Sequence, residues 1–142
     1  MDRATGYVDA LRAIREQTVD LRRRTESNAA AAQLRATADS VIARTTAIES
    51  ELHNPGAEVV YDILAGREGG AKLYSQLSPL YSWALQSDDA PTQGMRERKA
   101  WLDGELARIG AEITALRAGE VARMEQEATA LALPRVIVPG TR

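Results

Sequence analysis

The segment from Val59 to Tyr74 comes closer than any other to the residue types of a phosphate-binding loop. It reads VVYDILAGREGGAKLY, so an apolar run leads into glycines and a lysine follows. In a P-loop, glycines expose backbone N–H groups to phosphate, and Lys and then Ser or Thr follow the last glycine directly. Here Ala71 separates Gly70 from Lys72, and Leu73 stands where the hydroxyl residue belongs. The spacing therefore favours a turn between helices over a phosphate site.

The remaining polar residues do not form a recognisable catalytic or metal-binding set. The only histidine, His53, stands alone at a predicted helix end, where a capping or surface role is expected. The absence of cysteine excludes disulfides, thiolate nucleophiles and cysteine metal sites. Carboxylates alternate with arginines, a pattern typical of solvated helix faces with ion pairs: Glu49, Glu51, Asp88, Asp89, Glu120, Glu125 and Glu127. The sequence predicts no catalytic residue, no cofactor-binding residue and no metal ligand.

Composition predicts one soluble helical domain over residues 1–142. Hydrophobic residues make up 44% of the chain and charged residues 27%, and Phe is absent while Ala and Leu are frequent. The formal net charge of −2 gives no overall field for nucleic acid. No apolar run is long enough to cross a bilayer, and the N-terminal residues lack the apolar core of a signal peptide. Whether Met1 is the true start or a boundary in a longer protein stays open.

Apolar residues recur at steps of three and four along most of the chain, which predicts amphipathic helices. The predicted ranges are helices over 5–27, 29–53 and 71–87, a long helix over 92–131, an irregular loop over 54–70 and an extended tail over 132–142. The residues predicted to share one face of their helix are Val8, Leu11, Ile14, Thr18, Leu21, Leu34, Ala38, Val41, Thr45, Ile48, Leu52, Leu73, Leu77, Leu80, Tyr81, Ala84, Leu85, Leu102, Leu106, Ile109, Ile113, Leu116, Val121, Met124, Ala128 and Leu131. This pattern predicts an all-α, up-and-down bundle with an N-terminal helical hairpin, a short middle helix and a long C-terminal helix.

Breaks between the helices are marked by capping and helix-breaking residues. Ser27-Asn28 is a plausible break that supplies an N-cap for the second helix, and Asp89 or Thr92 is the candidate N-cap of the last. Pro79 predicts either a kink or a division of the middle helix. The apolar pattern changes phase near Gly119, which predicts a local bend or a change of register.

The first helix faintly resembles that of the all-helical chorismate mutases. The similarity lies in Leu11-Arg12-Ala13-Ile14, Asp20-Leu21 and Arg22-Arg23-Arg24. In that family arginines and a lysine hold a dicarboxylate inside the bundle, so the resemblance implies inward-facing basic residues. Arg15 stands where the family has an acidic residue, and no matching basic set follows in later helices. A small helical enzyme of this kind is the alternative functional hypothesis.

A longer resemblance covers nearly the whole chain. It is carried by ELHNP (51–55), YDIL (61–64), GGAKLYSQL (69–77) and DDAPTQGMRE (88–97), with LRAIREQ (11–17) and the closing LP and VIVP. Together these strings resemble the C-terminal helical region of bacterial sortilin-like (VPS10-type) or BNR-repeat "glycosyl hydrolase" β-propeller proteins. The propeller itself is missing from the chain, so the resemblance implies no hydrolase activity here. It does imply periplasmic or extracellular surroundings.

The leading functional hypothesis is a non-enzymatic interaction or structural module that docks on a β-propeller or a larger protein assembly. Trp83 and Trp101 are predicted to be core or interface anchors rather than stacking platforms. Trp83, Tyr81 and the tail residues 136–138 are the predicted contact points. This hypothesis expects some of those side chains to stay outside the chain's own core.

Overall fold

The computed structural model describes residues 2–54, 72–86 and 90–133. Within these ranges the chain forms the helices α1 (Asp2–Arg24), α2 (Ala32–Leu52), α3 (Leu73–Gln86), α4 (Gln93–Leu116) and α5 (Ala122–Ala130). A π-helical segment, Arg117–Val121, joins α4 and α5 into one long helix, and no strand occurs in the described part of the chain. The protein is an all-α, up-and-down helical bundle, as the apolar pattern predicts. The predicted loop over 54–70 and most of the predicted tail lie outside the described residues.

The first two helices form an antiparallel hairpin with an ordered connection. The Thr25 hydroxyl donates to the carbonyl oxygens of Leu21 and Arg22, so α1 ends at Arg24 rather than at residue 27. Asn28 caps the 3-10 turn Ala29–Ala31 by accepting from the backbone N–H of Ala30 at 3.0 Å. The Arg35 side chain donates to the carbonyl oxygens of Thr25 and Asn28, which fastens the start of α2 to the connection.

The core consists of one apolar stripe from each long helix. Nearly all of the residues predicted to face inward on α1, α2, α4 and α5 are buried: Val8, Leu11, Ile14, Thr18, Leu21, Leu34, Ala38, Val41, Thr45, Ile48, Leu52, Leu102, Leu106, Ile109, Ile113, Leu116, Val121, Met124 and Ala128. Leu131 is partly buried against them. The buried threonine hydroxyls of the described residues donate to carbonyl oxygens one turn earlier, as Thr18 does to Ile14 at 2.7 Å, so each of them is paired.

The π-helical segment explains the change of phase in the apolar pattern near Gly119. Buried residues along the long helix follow steps of four and three until Leu116, and the next buried residue is Val121, five positions later. A π-turn holds one more residue than an α-turn, so a step of five returns to the same face. The predicted change of register is therefore a π-turn that keeps α4 and α5 on one continuous stripe.

The long helix ends in a Schellman motif. The N–H of Leu133 donates to the carbonyl oxygen of Ala128 at 2.9 Å, and the N–H of Ala132 donates to that of Thr129 at 3.0 Å. Ala132 takes a left-handed backbone conformation with φ of 55°, where glycine is the usual residue. The prediction of an extended tail from residue 132 is wrong for this residue. Residues 134–142, with the predicted contact points 136–138, lie outside the described part of the chain.

The middle helix α3 packs mainly against α4 and touches the end of α2. It runs without interruption through Pro79, so the predicted division into two short helices does not occur. Thr92 is the N-cap of α4 and accepts from the N–H of Met95 at 3.3 Å, which selects it over Asp89. Among the helices described, none combines the length and the apolar character needed to cross a membrane.

Candidate interaction surface

The last turns of α3 leave large apolar side chains in solvent. Tyr81 is 55% exposed, Trp83 61% and Leu85 68%, and Ala84 beside them is also exposed. We refer to Tyr81, Trp83, Ala84 and Leu85 as the α3 tip. Tyr81, Ala84 and Leu85 belong to the apolar side of α3 that the spacing predicts, but they do not reach the core. This helix buries only Leu73 fully and half-buries the middle residues Leu77 and Leu80.

The apolar residues of the α3 tip continue the stripe that begins inside the bundle. Leu73, Leu77, Leu80 and Ala84 are spaced by four and three residues and share one helix face. The first three contact the core, whereas Ala84 is exposed. The stripe therefore extends about one turn beyond the point where the chain's own helices cover it.

Another exposed tryptophan, Trp101 on α4, lies near the start of α3, where it shares a cleft with Leu73 and Gln76. Trp101 is 51% exposed, and the Arg98 guanidinium lies over its ring at 4.5 Å from the ring centre. Arg98 also donates a hydrogen bond to the Gln76 side chain on α3. Gln76 and Trp83 are seven residues apart, two helical turns, so both lie on the flank of α3 that faces Arg98. Trp83 and Trp101 therefore lie toward opposite ends of one flank of the α3–α4 hairpin. Both are exposed, so of the two predicted roles, core or interface anchor, the core role is excluded.

A shallow cleft continues from Trp101 toward the end of α2. Leu73, Trp101 and Ile109 line it, together with Lys72, Gln76, Glu51, Glu105 and Arg108. The Arg108 guanidinium pairs with Glu51, Glu105 and Glu112, and the hydrogen bond to Glu51 contributes most to raising its pKa. Arg108 is thus already neutralised by carboxylates of this chain. Of the glycine-rich segment considered for phosphate, the structure describes only the residues from Lys72 onward.

The best-buried charged group of the described residues is Glu49, which joins α2 to α1. Its side chain accepts from the Nε of Arg12 at 2.7 Å and lies 2.6 Å from the Nη1 of Arg15. Glu49 is only 6% exposed, so the prediction of a solvated carboxylate is wrong for this residue. Burial raises its pKa, but the hydrogen bonds and charges of the two arginines together outweigh burial, and the net pKa lies below the ordinary glutamate value.

The sequence contains a signal for this arrangement that simple periodicity does not reveal. Arg12 and Arg15 are three residues apart and therefore share one face of α1. Glu49 precedes Leu52 by three residues and so borders the buried stripe of α2. A search for opposite charges beside the apolar stripes of two antiparallel helices would have found these three residues, because the hairpin brings those positions of α1 and α2 together.

A second cleft lies between α1 and the start of α3. It is lined by Thr5, Val8, Asp9, Arg12, His53 and Tyr74. His53 is half-buried, and its backbone N–H donates to the carbonyl oxygen of Glu49 at 2.9 Å, so it ends α2 as a cap. No group of three potential His, Cys, Asp or Glu metal ligands occurs among the residues that were described. The cleft contains one carboxylate, one guanidinium and one imidazole, a combination that is not typical of any one class of ligand.

The basic residues that resemble a mutase site do not meet in a central pocket. Arg22 pairs with Asp39 on α2, while Arg23 and Arg24 pair with Asp20 on their own helix. All of these groups are at least partly exposed. In the described ranges no lysine or arginine is buried in the core, and Arg12 and Arg15 are both occupied by Glu49. The arrangement that the mutase hypothesis requires is therefore not formed by these residues.

The α3 tip is the feature of the described residues with the clearest capacity for recognition. Comparisons with protein-family models, with curated proteins and with solved structures give no match for this chain.

Proposed function

We propose that this chain is a non-enzymatic protein-interaction module and that the α3 tip is its contact surface. The observation that carries the proposal is the exposure of Tyr81, Trp83 and Leu85 on one short helix. Leaving a large apolar side chain in water forgoes about 1.5 to 3 kcal/mol of burial energy. Three such residues in two turns are explained by a partner that covers them.

The composition of the surface fits a protein partner. Trp and Tyr supply large contact areas with few rotatable bonds, and they are enriched among residues that dominate binding energy. The Trp101–Arg98 pair, near the start of α3, adds a cation held over an aromatic ring on the same helical hairpin. An apolar centre with a polar, partly charged border is the usual anatomy of a protein interface.

The kind of assembly is suggested by the resemblance of the strings GGAKLYSQL and DDAPTQGMRE to the helical region of propeller proteins. Both strings flank or belong to the α3–α4 hairpin. A β-propeller or a larger assembly in periplasmic or extracellular surroundings is the partner and location that this resemblance supports.

The test is site-specific photo-crosslinking in the source cells followed by reconstitution. A photoreactive residue at position 83 is expected to crosslink a defined protein, which is identified and then purified. Binding of the purified protein should weaken at least tenfold with Trp83→Ala plus Leu85→Ala. Val19→Ala is the matched control, because Val19 is an exposed apolar residue on α1 outside the α3 tip. Equal binding by all variants would refute the α3 tip as the contact surface.

A further inference from the structure

We propose that α3 is a releasable helix, which opens away from α4 as one unit while α1, α2 and the long helix from Leu106 onward stay folded. Opening uncovers the apolar residues that α3 holds against the bundle, so the chain alternates between a closed form and an open form. The opening is a property of the chain alone, whereas its consequence for binding rests on the proposed function.

The helix α3 contributes little to the core. Leu73 is its only fully buried residue among 14, whereas α1 buries seven residues and α2 buries eight. Leu77 and Leu80 are half-buried, and every residue from Trp83 to Gln86 is exposed. Burial of apolar surface is the main favourable term in folding. Releasing α3 therefore forfeits much less stabilisation than unfolding α1 or α2 would.

The sequence of α3 also makes it a weak helix by itself. Pro79 lies in its middle and has no N–H to donate to the carbonyl oxygen of Ser75. Lys72, immediately before the helix, places a positive charge at the end where the helix dipole favours an anion. Isolated helices of about this length are marginal in water even for favourable sequences. The helix α3 thus depends on its contacts with the bundle, and it should lose those contacts and its helical hydrogen bonds in one step.

The polar contacts divide the chain at the same place as burial does. No charged residue lies within α3, so this helix cannot form an ion pair with the bundle. The hydrogen bond that Arg98 donates to Gln76 is exposed, so water can replace it at little cost. The other helices are held together by charges: Glu49 joins α2 to α1 through two arginines, and Arg108 joins α4 to α2 through Glu51.

Opening changes which apolar residues a partner can reach. In the closed form Leu73, Leu77 and Leu80 pack against the core, whereas the α3 tip is exposed. In the open form these three leucines join Ala84 in one accessible stripe with steps of four and three. Such a stripe is the pattern by which an amphipathic helix binds an apolar groove. The closed form therefore keeps most of this stripe covered until α3 is released.

The first test is amide hydrogen exchange of the wild-type chain, measured residue by residue by NMR. The amides between Leu77 and Gln86 are expected to share one opening constant and to exchange at least about a hundredfold faster than those in the middle of α2. Low concentrations of urea should accelerate exchange strongly in α2 and only weakly in α3, because opening α3 exposes little surface. Equal protection and equal urea dependence in the two helices would overturn the proposal. A gradual loss of protection from Leu77 to Gln86 would also overturn it, because α3 would then fray rather than open as a unit.

Two variants separate the opening of α3 from unfolding of the whole chain. Val41→Ala removes buried apolar surface in the middle of α2, and it should speed exchange there by about tenfold or more without changing exchange in α3. Pro79→Ala restores a helical N–H at an exposed position, and it should slow exchange in α3 by up to about a hundredfold. Equal acceleration of both helices by Val41→Ala would show that α3 opens only with global unfolding. Unchanged exchange of α3 in Pro79→Ala would equally contradict the proposal.

The second test uses the absence of cysteine from the chain, because an introduced thiol has no competitor. Leu73 on α3 and Leu106 on α4 are matched in burial, at 5% and 4% exposed. Under native conditions a thiol reagent should modify Leu73→Cys at least about tenfold faster than Leu106→Cys. Equal rates would mean that both positions become accessible only by the same global unfolding, which would refute a separate opening of α3. Neither test needs a partner, so both can fail while crosslinking at position 83 still supports the interaction function.

Discussion

The side chain of Glu49 accepts a hydrogen bond of 2.7 Å from the Nε of Arg12, across the interface between α2 and α1. Arg15 lies 2.6 Å from the other carboxylate oxygen. One buried anion is therefore held by two cations from the neighbouring helix. The other ion pair between α1 and α2 among the described residues, Arg22 with Asp39, is exposed. Because apolar side chains tolerate sliding better than a charge pair does, this cluster fixes the register of the α1–α2 hairpin.

Removing the charge of Glu49 is expected to destabilise the protein. Glu49→Gln leaves two arginines without their carboxylate in a partly buried place, and we expect a loss of about 2 to 3 kcal/mol in the free energy of unfolding. The value lies at the lower end for buried pairs because the Arg12 side chain is 47% exposed. Urea unfolding at pH 7 measures the loss.

Glu51→Gln is the matched control: its partner Arg108 keeps two other carboxylates, so a loss below about 1 kcal/mol is expected. Equal losses in the two variants would contradict the structural role of Glu49.

The contribution of Glu49 should depend on pH in a defined direction. Its pKa is lower in the folded protein than its ordinary value, which is about 4.3. Protons then bind more tightly to the unfolded chain, so the stabilisation is fully present above about pH 5 and is lost as the pH falls through the folded pKa. The difference in unfolding free energy between wild type and Glu49→Gln should be constant from pH 7 to pH 5 and should shrink below about pH 4. A difference that grows on acidification would reverse the sign and refute this assignment.

The sequence predicts the fold well because four helices carry strict apolar periodicity. The stripes Leu102 to Leu116 and Leu34 to Leu52 are buried as their spacing indicates. Periodicity fails at the α3 tip for a physical reason: Tyr81 and Leu85 have the right spacing, but no described helix covers that turn. Spacing shows which residues share a face, and only the lengths and registers of neighbouring helices decide whether that face is covered. The prediction that Glu49 is solvated is wrong for the same reason, since its burial depends on Arg12 and Arg15 in another helix.

The close approach of α1 to α4 at Gly110 gives a test of packing. A Cβ built at Gly110 would collide with the Tyr7 hydroxyl, whereas one at Gly104 would meet nothing within 4 Å. The free energy of unfolding should therefore rise by about 1 kcal/mol in Gly104→Ala, because alanine has the higher helix propensity and nothing opposes the added methyl group. Gly110→Ala should raise the free energy of unfolding by less than this, or lower it. Introduced into a chain that already carries Tyr7→Ala, Gly110→Ala should give the full increase. A full gain for Gly110→Ala in the wild-type background, measured by thermal or urea unfolding, would show that Tyr7 moves aside at no cost.

The end of the long helix offers a stabilising substitution. Ala132 holds the left-handed position of the Schellman motif with φ of 55°, which costs an L-residue about 1 kcal/mol relative to glycine. Ala132→Gly should therefore raise the free energy of unfolding by up to about 1 kcal/mol. Ala130→Gly is the control, because Ala130 is the last residue of α5 and keeps helical geometry. The control should lose stability by about 0.5 to 1 kcal/mol. Loss of stability in both variants would mean that the left-handed turn does not form in solution.

The π-helical segment predicts that one residue of the long helix is dispensable. Deleting Gly119 turns the five-residue step from Leu116 to Val121 into a step of four, and the steps of three to Met124 and four to Ala128 then follow unchanged. The apolar stripe stays on one face after the π-turn becomes an α-turn, so helical content and the thermal midpoint should remain close to those of the wild type.

Deleting Gly104 is the matched control, because it shortens the four-residue step from Leu102 to Leu106 within regular α-helix. It rotates every preceding residue of α4 by about 100° relative to the residues that follow. That rotation removes Leu102 from the core and should cost several kcal/mol. If the Gly119 deletion proved as damaging as the Gly104 deletion, the π-turn would have a structural role beyond correcting the register of the stripe.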